Sequence, residues 1–563
     1  MQARRTWGAL VALTMTVGGC SLVGGDSSTA TSSSSSADPA PSSAPTDTAV
    51  QTFAPPREGR DWVVVAEDPA ATQDIADALK GDGLALTSIN TSIGMVTLRS
   101  SDDDVEQRAK GVDGVSAAVT DRNADWTPDD PQVPTAGDLT PATDIPPPPS
   151  APDGGDPFDG WLWGTQAIDV AGAHEVTTGR REVRVGVIDT GVDASHPDLA
   201  PVLDTGLSRS FVTDMPDIDG PCEVDSCVDP VGTDDGGHGT HVAGTIAAAA
   251  NDLGVTGVAP GITLVDLRAG QDSGMFFLGP TVNALTYAAD QRLDVVNMSY
   301  YVDPWIIACR GGADGDSPEQ AAFQDVAIEL MHRAYDVTDE AGVTIVSSAG
   351  NEGADVGARG QDGTSPNYGG AAHDRTVDPQ GCERLPLDGE HVIGVASVDE
   401  GDVRSTFSNW TSDPSDDRVD IAAPGGQESD GRGGILSAMP RALARTEGAI
   451  DDEGRVTESG NQRVVRACPD GIGATDPDPD ERCGLYTWLQ GTSMASPHVA
   501  GTAALVISAH GERMRPEDVA AKLQETATDQ PCPADEGVVT CAGTTQRNGI
   551  FGEGVVDAAA AVR

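Results

Sequence analysis

Positive charge is scarce in this 563-residue chain: 34 Lys and Arg stand against 89 Asp and Glu, a formal charge of −55. Such a surface repels polyphosphates and anionic lipid, which excludes nucleic acid as a partner and leaves a membrane accessible only through an anchor. The acidic excess is spread along the chain instead of gathered in one block, as in a solubility or salt-tolerance adaptation. After the N-terminal segment no apolar run is long enough for a membrane helix. No Cys-x-x-Cys and no paired Cys/His spacing occurs, so zinc has no sequence support. Internal repeats are also lacking.

What is present begins with a targeting segment, residues 1–20. Arg4 and Arg5 precede the short apolar stretch GALVALTMTV, the n-region and h-region of a signal peptide. Val17-Gly18-Gly19-Cys20 follows and resembles a bacterial lipobox, in which Cys20 is lipidated and becomes the mature N-terminus. Residues 21–58, rich in Ser, Thr, Ala and Pro, hold too little apolar surface to offset chain entropy and read as a disordered tether. Nine cysteines less Cys20 leave eight, an even set that suits disulfides in an exported chain. Neighbour pairing gives 222–227, 468–483 and 532–541 as local clips, one of many connectivities eight cysteines allow.

Residues 59–122 read as a small α+β domain. DWVVVAE, GLALTSIN, GMVTLRS and VSAAVTD carry strand patterns, and QDIADALKG and DDDVEQRAKG helical ones. The order βαββαβ predicts a ferredoxin-like split-βαβ unit. A Pro/Asp-rich linker, 123–157, with four consecutive prolines at 146–149, favours extended polyproline structure. The large domain, 158–563, alternates β-rich runs (REVRVGVIDTG, LDVVNMS, VTIVSSAGN, HVIGVASV, VDIAAPG) with helical ones such as THVAGTIAAAA and NALTYAADQ. Buried strands alternating with helices predict an α/β fold, a mostly parallel sheet with helices on both faces. Ligands bind such sheets at the carboxyl ends of strands, where the conspicuous polar residues lie.

Three segments carry the chemistry. Asp189 closes an apolar strand in VIDTGVDASHPDL, His238 stands between glycines in DDGGHGTHVAGTIAA, and Ser493 lies among small residues in LQGTSMASPHVAG. A serine hydroxyl is a poor nucleophile until a base takes its proton, and the imidazolium then needs a fixed anion beside it. Asn351, ending VSSAGN, is placed to donate to an oxyanion or to hold a turn. His241, one turn after His238, reads as a packing residue.

In the order Asp, His, Ser, the motifs Asp189-Thr190-Gly191, His238-Gly239-Thr240-His241-Val242-Ala243-Gly244 and Gly491-Thr492-Ser493-Met494-Ala495-Ser496-Pro497 resemble those of the subtilisin-like serine peptidases, or subtilases. The resemblance runs from about Trp161 to the C-terminal FGEGVVDAAAAV. It implies that Asp189 orients the imidazole, His238 acts as base and then acid, Ser493 attacks the scissile carbonyl and Asn351 stabilises the oxyanion. It further implies Ser299, Tyr300 and Gly350 as substrate contacts, with the Tyr300 and Tyr301 rings narrowing the cleft. Asp198 and Asn251 match positions that hold a structural calcium in relatives; the chemistry itself needs no cofactor. The small domain resembles an inhibitory propeptide removed by self-cleavage. The expectation is a monomeric zymogen of a secreted or cell-surface endopeptidase acting on protein or peptide substrates, anchored through Cys20 before processing. A processing protease for one exported precursor, or a dead protease fold kept as a binding surface, are the alternatives.

Overall fold

The run Trp62-Val63-Val64-Val65 lacks the apolar–polar alternation of a one-sided strand because both of its faces are buried. Trp62 and Val64 pack with Ile75 and Leu79 of the helix Thr72–Gly81 and with Ile89 and Leu98. Val63 and Val65 point the other way, into a core with Leu278, Val282, Leu285 and Phe323 of the large domain. The computed structural model describes residues 49–54, 59–122, 148–150, 155–219, 226–368, 370–427, 433–460, 463–469, 476–533 and 540–563. The expected signal segment with Cys20, the tether up to residue 48 and most of the 123–157 linker lie outside them, as does Cys222.

The N-terminal sheet is antiparallel throughout, ordered Val50–Thr52, Ala85–Asn90, Met95–Ser100, Arg60–Ala66, Val115–Arg122. Its last four strands have the ferredoxin-like order. The edge strand Val50–Thr52 comes from the segment read as tether: its ladder to Ser88–Asn90 supplies hydrogen bonds that composition does not reveal. The sheet lies on two helices, Leu278–Asp290 and Pro318–Glu340. Asn90 Nδ2 donates to Asn283 Oδ1 (3.0 Å) and Thr286 Oγ1 (2.7 Å). Arg333 Nη1 donates to the Ala66 and Ile93 carbonyls at 3.1 and 2.8 Å.

The large domain is built on a seven-stranded sheet, ordered Ile421–Pro424, Val392–Val398, Thr344–Ser348, Val295–Met298, Arg184–Ile188, Thr263–Arg268, Arg209–Ser210, all neighbours parallel. The five strands expected from the sequence are all present. One face packs on the helix Thr492–His510, whose residues are buried from Thr492 through Ser508; a helix apolar all round belongs at the centre of a domain. The other face packs on Leu278–Asp290 and Pro318–Glu340. Met298 registers with Ile188 on one side and Ser347 on the other. The residues following these strands, Asp189, Ser299 and Ala349, therefore emerge side by side at one edge of the sheet.

Two small antiparallel pairs, Ala308–Cys309 with Cys382–Glu383 and Gly360–Asp362 with Arg375–Val377, decorate that edge. Disulfides link Cys468 to Cys483 and Cys532 to Cys541, as neighbour pairing expects, and Cys309 to Cys382 across 73 residues.

Candidate active site

Asp189 leaves its strand fully buried, its carbonyl accepting from the Ala269 and Gly270 N–H groups at 3.0 Å each. Its Oδ1 accepts from Thr190 N–H and from His238 Nδ1, both at 2.8 Å. His238 opens the helix His238–Ala247 and is 1% exposed. The surrounding glycines are required by geometry: a Cβ on Gly239 would lie 2.1 Å from the Gly191 carbonyl oxygen, and Gly237 has φ +82°.

One residue essential to this placement was not singled out from the sequence. Asp234 is buried beneath the helix start. Its Oδ1 accepts from Gly237 N–H (2.8 Å) and Thr190 Oγ1 (2.9 Å), and its Oδ2 from Thr240 N–H (2.9 Å) and Thr240 Oγ1 (2.6 Å). It caps the helix and ties the residue after Asp189 to the residue two beyond His238. Burial pushes its carboxyl above the ordinary range against these four donors. The signal available was an acid shortly before a glycine-flanked helix start. His241 is a packing residue: fully buried, its Nε2 faces the Ile435 carbonyl at 2.9 Å, and burial pushes its pKa down to about 3.

Ser493 is the second residue of its helix and 6% exposed. Its hydroxyl donates to the Ser299 carbonyl at 3.1 Å, while His238 Nε2 is buried without a hydrogen-bond partner. The hydroxyl of Ser299 donates to the Ser493 carbonyl (3.1 Å), accepts from Asn297 Nδ2 (2.9 Å) and lies 2.7 Å from Ser496 Oγ. Ser299 thus holds the turn bearing Ser493 from both ends of its own residue. Asn351 Oδ1 accepts from the N–H and the hydroxyl of Thr492, each at 2.9 Å, and Thr492 Oγ1 accepts from Gly350 N–H at 3.1 Å. With its oxygen committed, the Asn351 amide presents its NH₂ group elsewhere.

Asn351 borders a cavity of about 430 Å³ shared with Ser493, Ser299, Gly350 and both tyrosines. Tyr300 lines it only by its margin, being 6% exposed and stacked on Phe276 with centroids 3.9 Å apart. Burial raises its hydroxyl above the usual range. Tyr301 is half-buried and its hydroxyl accepts from Asn367 Nδ2 at 3.1 Å. Of the two rings, Tyr301 is the more exposed to the cleft.

Asp198 and Asn251 do meet, but as a hydrogen-bonded pair. Asn251 Nδ2 donates to Asp198 Oδ1 at 3.2 Å, while its Oδ1 accepts from Leu253 N–H at 3.0 Å. Asp198 Oδ2 accepts from Tyr486 Oη at 2.7 Å and Val255 N–H at 3.3 Å. Calcium requires six to eight converging oxygens. Here donors face the carboxylate, and a Cβ on Gly254 would lie 1.9 Å from the Tyr486 hydroxyl, which fills the loop. This donor set does not fit calcium. A second acidic group, Asp229, Asp235 and Asp272, already holds a cation: the Arg268 guanidinium donates to Asp229 at 2.8 Å and to Asp272.

Residues 180–554 match the profile of the Subtilase family. The chain belongs to that family. Over 347 residues this subtilase is 28% identical to subtilisin DY of Bacillus licheniformis, a match covering 62% of this chain and 84% of that protein. Thermitase of Thermoactinomyces vulgaris is 28% identical over 376 residues, 66% of this chain and 92% of its own. Among solved structures, the epidermin leader peptide processing serine protease of Staphylococcus aureus shares the fold, with a TM-score of 0.57 at 18% identity over 90% of this chain and 98% of that one. The protein is a subtilisin-like serine hydrolase, with a peptide or protein as its class of substrate.

Proposed function

We propose that this subtilase is an exported endopeptidase in which Asp189, His238 and Ser493 form the catalytic triad and Asn351 the oxyanion donor. The supporting observation is the buried Asp189–His238 pair at the sheet edge where Ser493 and Asn351 share a cavity. Rotation of the Ser493 hydroxyl from the Ser299 carbonyl to His238 Nε2 starts the reaction. As Nε2 takes the proton, Oγ bonds to the scissile carbonyl carbon and the carbonyl electrons move to oxygen. The Asn351 NH₂ stabilises that oxyanion. Collapse breaks the C–N bond, His238 returns the proton to the leaving amine, and water repeats the sequence on the acyl-enzyme. Asp189 stabilises the imidazolium throughout.

The N-terminal unit serves as an intramolecular inhibitor and the chain as its zymogen, a reading favoured by the sheet's apolar face on Leu278–Asp290 and Pro318–Glu340. Disulfides suit an oxidising compartment, and Cys20 anchors the precursor until processing. Labelling with a fluorophosphonate tests the reading. Matured wild type should label on a band shortened by the N-terminal unit, and Ser493→Ala should not. A folded, shortened wild type that refuses the probe overturns it in favour of a binding protein.

A further inference from the structure

Of the described residues lining the cavity beside Ser493, only Glu352 and Arg384 carry charge. Their situations differ. Glu352 is exposed, and its carboxylate accepts from Asn351 N–H and from the Asn409 amide. Arg384 is partly buried, and Leu385, Pro386 and Leu387 line the same cavity. Its Nε is buried without a hydrogen-bond partner, and among the described residues its guanidinium makes no ion pair. The Asp388 carboxylate, whose charged form the nearby Arg418 and Arg384 both favour, is engaged by Arg418 Nε at 3.0 Å and by the Arg384 backbone N–H at 2.9 Å.

The backbone of Arg384 is fixed on the cavity wall. It follows the strand Cys382–Glu383, which is paired to Ala308–Cys309 and linked to it by the Cys309–Cys382 disulfide. The next carbonyl, of Leu385, accepts from Val302 N–H at 2.9 Å, one residue beyond Tyr301. A cation held against apolar walls with an unmet donor costs free energy until an anion arrives. A planar guanidinium then offers a carboxylate paired, charge-assisted hydrogen bonds. The exposed charge of Glu352 is screened by water far more than a charge inside the cavity. In a chain with 34 basic residues against 89 acidic ones, an unpaired arginine here is also against the compositional trend.

We propose that this cavity is a recognition pocket for an acidic side chain, with Arg384 as its determinant, so that the enzyme cuts on the carboxyl side of Glu or Asp. The cavity begins at Ser493 and Asn351, the groups that address the scissile carbonyl, so it receives the side chain of the residue supplying that carbonyl. This rests on the peptidase reading above and narrows it to acid-selective cleavage.

The test uses matured enzyme and peptides identical except for Glu, Gln, Leu or Lys before the scissile bond, with active sites titrated by the fluorophosphonate. Glu should exceed its isostere Gln by about tenfold or more in kcat/KM. Arg384→Lys should keep the preference, Arg384→Ala should abolish it, and Arg384→Glu should shift it toward Lys; titration counts only folded sites in each variant. Equal cleavage after Glu and Gln, or a preference for Leu or Lys, by a fully titratable wild type overturns the proposal and leaves the peptidase reading intact. A wild type that neither titrates nor cleaves any peptide overturns both.

Discussion

Thr492 grips the side-chain oxygen of Asn351 twice, through its backbone N–H and its hydroxyl, each at 2.9 Å. The residue before the proposed nucleophile thereby aims the proposed oxyanion donor. Asn351→Leu should lower kcat about 10²- to 10³-fold with little change in KM, the loss that removing such a donor causes in a subtilisin. Thr492→Val keeps the N–H and loses the hydroxyl, which donates to Asn351 and accepts from Gly350 N–H; about tenfold in kcat is expected, since roughly one hydrogen bond to the oxyanion donor goes. Steady-state kinetics on one peptide check both. Equal losses in the two variants would mean that Thr492 does more than position Asn351.

Asp234 accepts four hydrogen bonds where the helix carrying His238 begins. Asp234→Ala should cost about 2–4 kcal/mol of stability, since a cap is lost and buried donors are orphaned. Fluorophosphonate labelling should slow as His238 loses its fixed approach to Asp189. Thermal unfolding and labelling rate measure the two effects, and a slowed rate far below the melting temperature separates positioning from simple destabilisation.

The Asp198 loop should be stable without calcium. Adding EDTA or millimolar calcium to the folded protein is expected to leave the unfolding temperature unchanged. Tyr486→Phe should lower it, because Asp198 loses its 2.7 Å donor, at a cost of about 1–3 kcal/mol. Calcium-dependent stabilisation of the wild type would contradict the fit argued from these donors.

Asp420 carries a pH dependence. Burial pushes its carboxyl up to about 7, although Gly394 N–H donates to it at 2.9 Å and Gln524 Nε2 at 3.1 Å. Between an unfolded value of about 4 and this folded value, the native state holds a proton that the unfolded chain has released. The contribution of Asp420 to stability is therefore fully present at low pH and is lost as pH rises from about 4 to about 7. Asp420→Asn should flatten that part of the profile in denaturant titrations at several pH values.

Asn90 and Arg333 tie the N-terminal unit to the two helices beneath it. Arg333→Ala removes two charge-assisted bonds to backbone carbonyls. Earlier appearance of a shortened, probe-reactive band is expected in a maturation time course, by several-fold. An unchanged course would place the rate-limiting step in cleavage and not in release.

Much of this was readable from the chain because local pattern and tertiary role coincide. The five strands of the main sheet are apolar runs that end in turn residues; Asp189 and Asn351 follow two of them, and His238 and Ser493 open helices of small residues. The 23-residue helix Pro318–Glu340 was missed, as was the strand Thr263–Arg268, whose apolar and polar residues are mixed. The edge strand Val50–Thr52 owes its structure to its partner Ser88–Asn90 and not to its own composition.

The sequence by itself determined the fold class, the family and the order of the three proposed reacting residues, because periodicity and short motifs are properties of consecutive residues. Only the tertiary structure decided that Asp234 braces the start of the His238 helix against Thr190, that Tyr486 donates to Asp198, and that Arg384 lines the cavity beside Ser493. These relationships join residues between 44 and 288 positions apart in the cases of Thr190 with Asp234 and Asp198 with Tyr486. Whether a buried polar group is satisfied depends on what folding brings to it from elsewhere, and no local pattern encodes that.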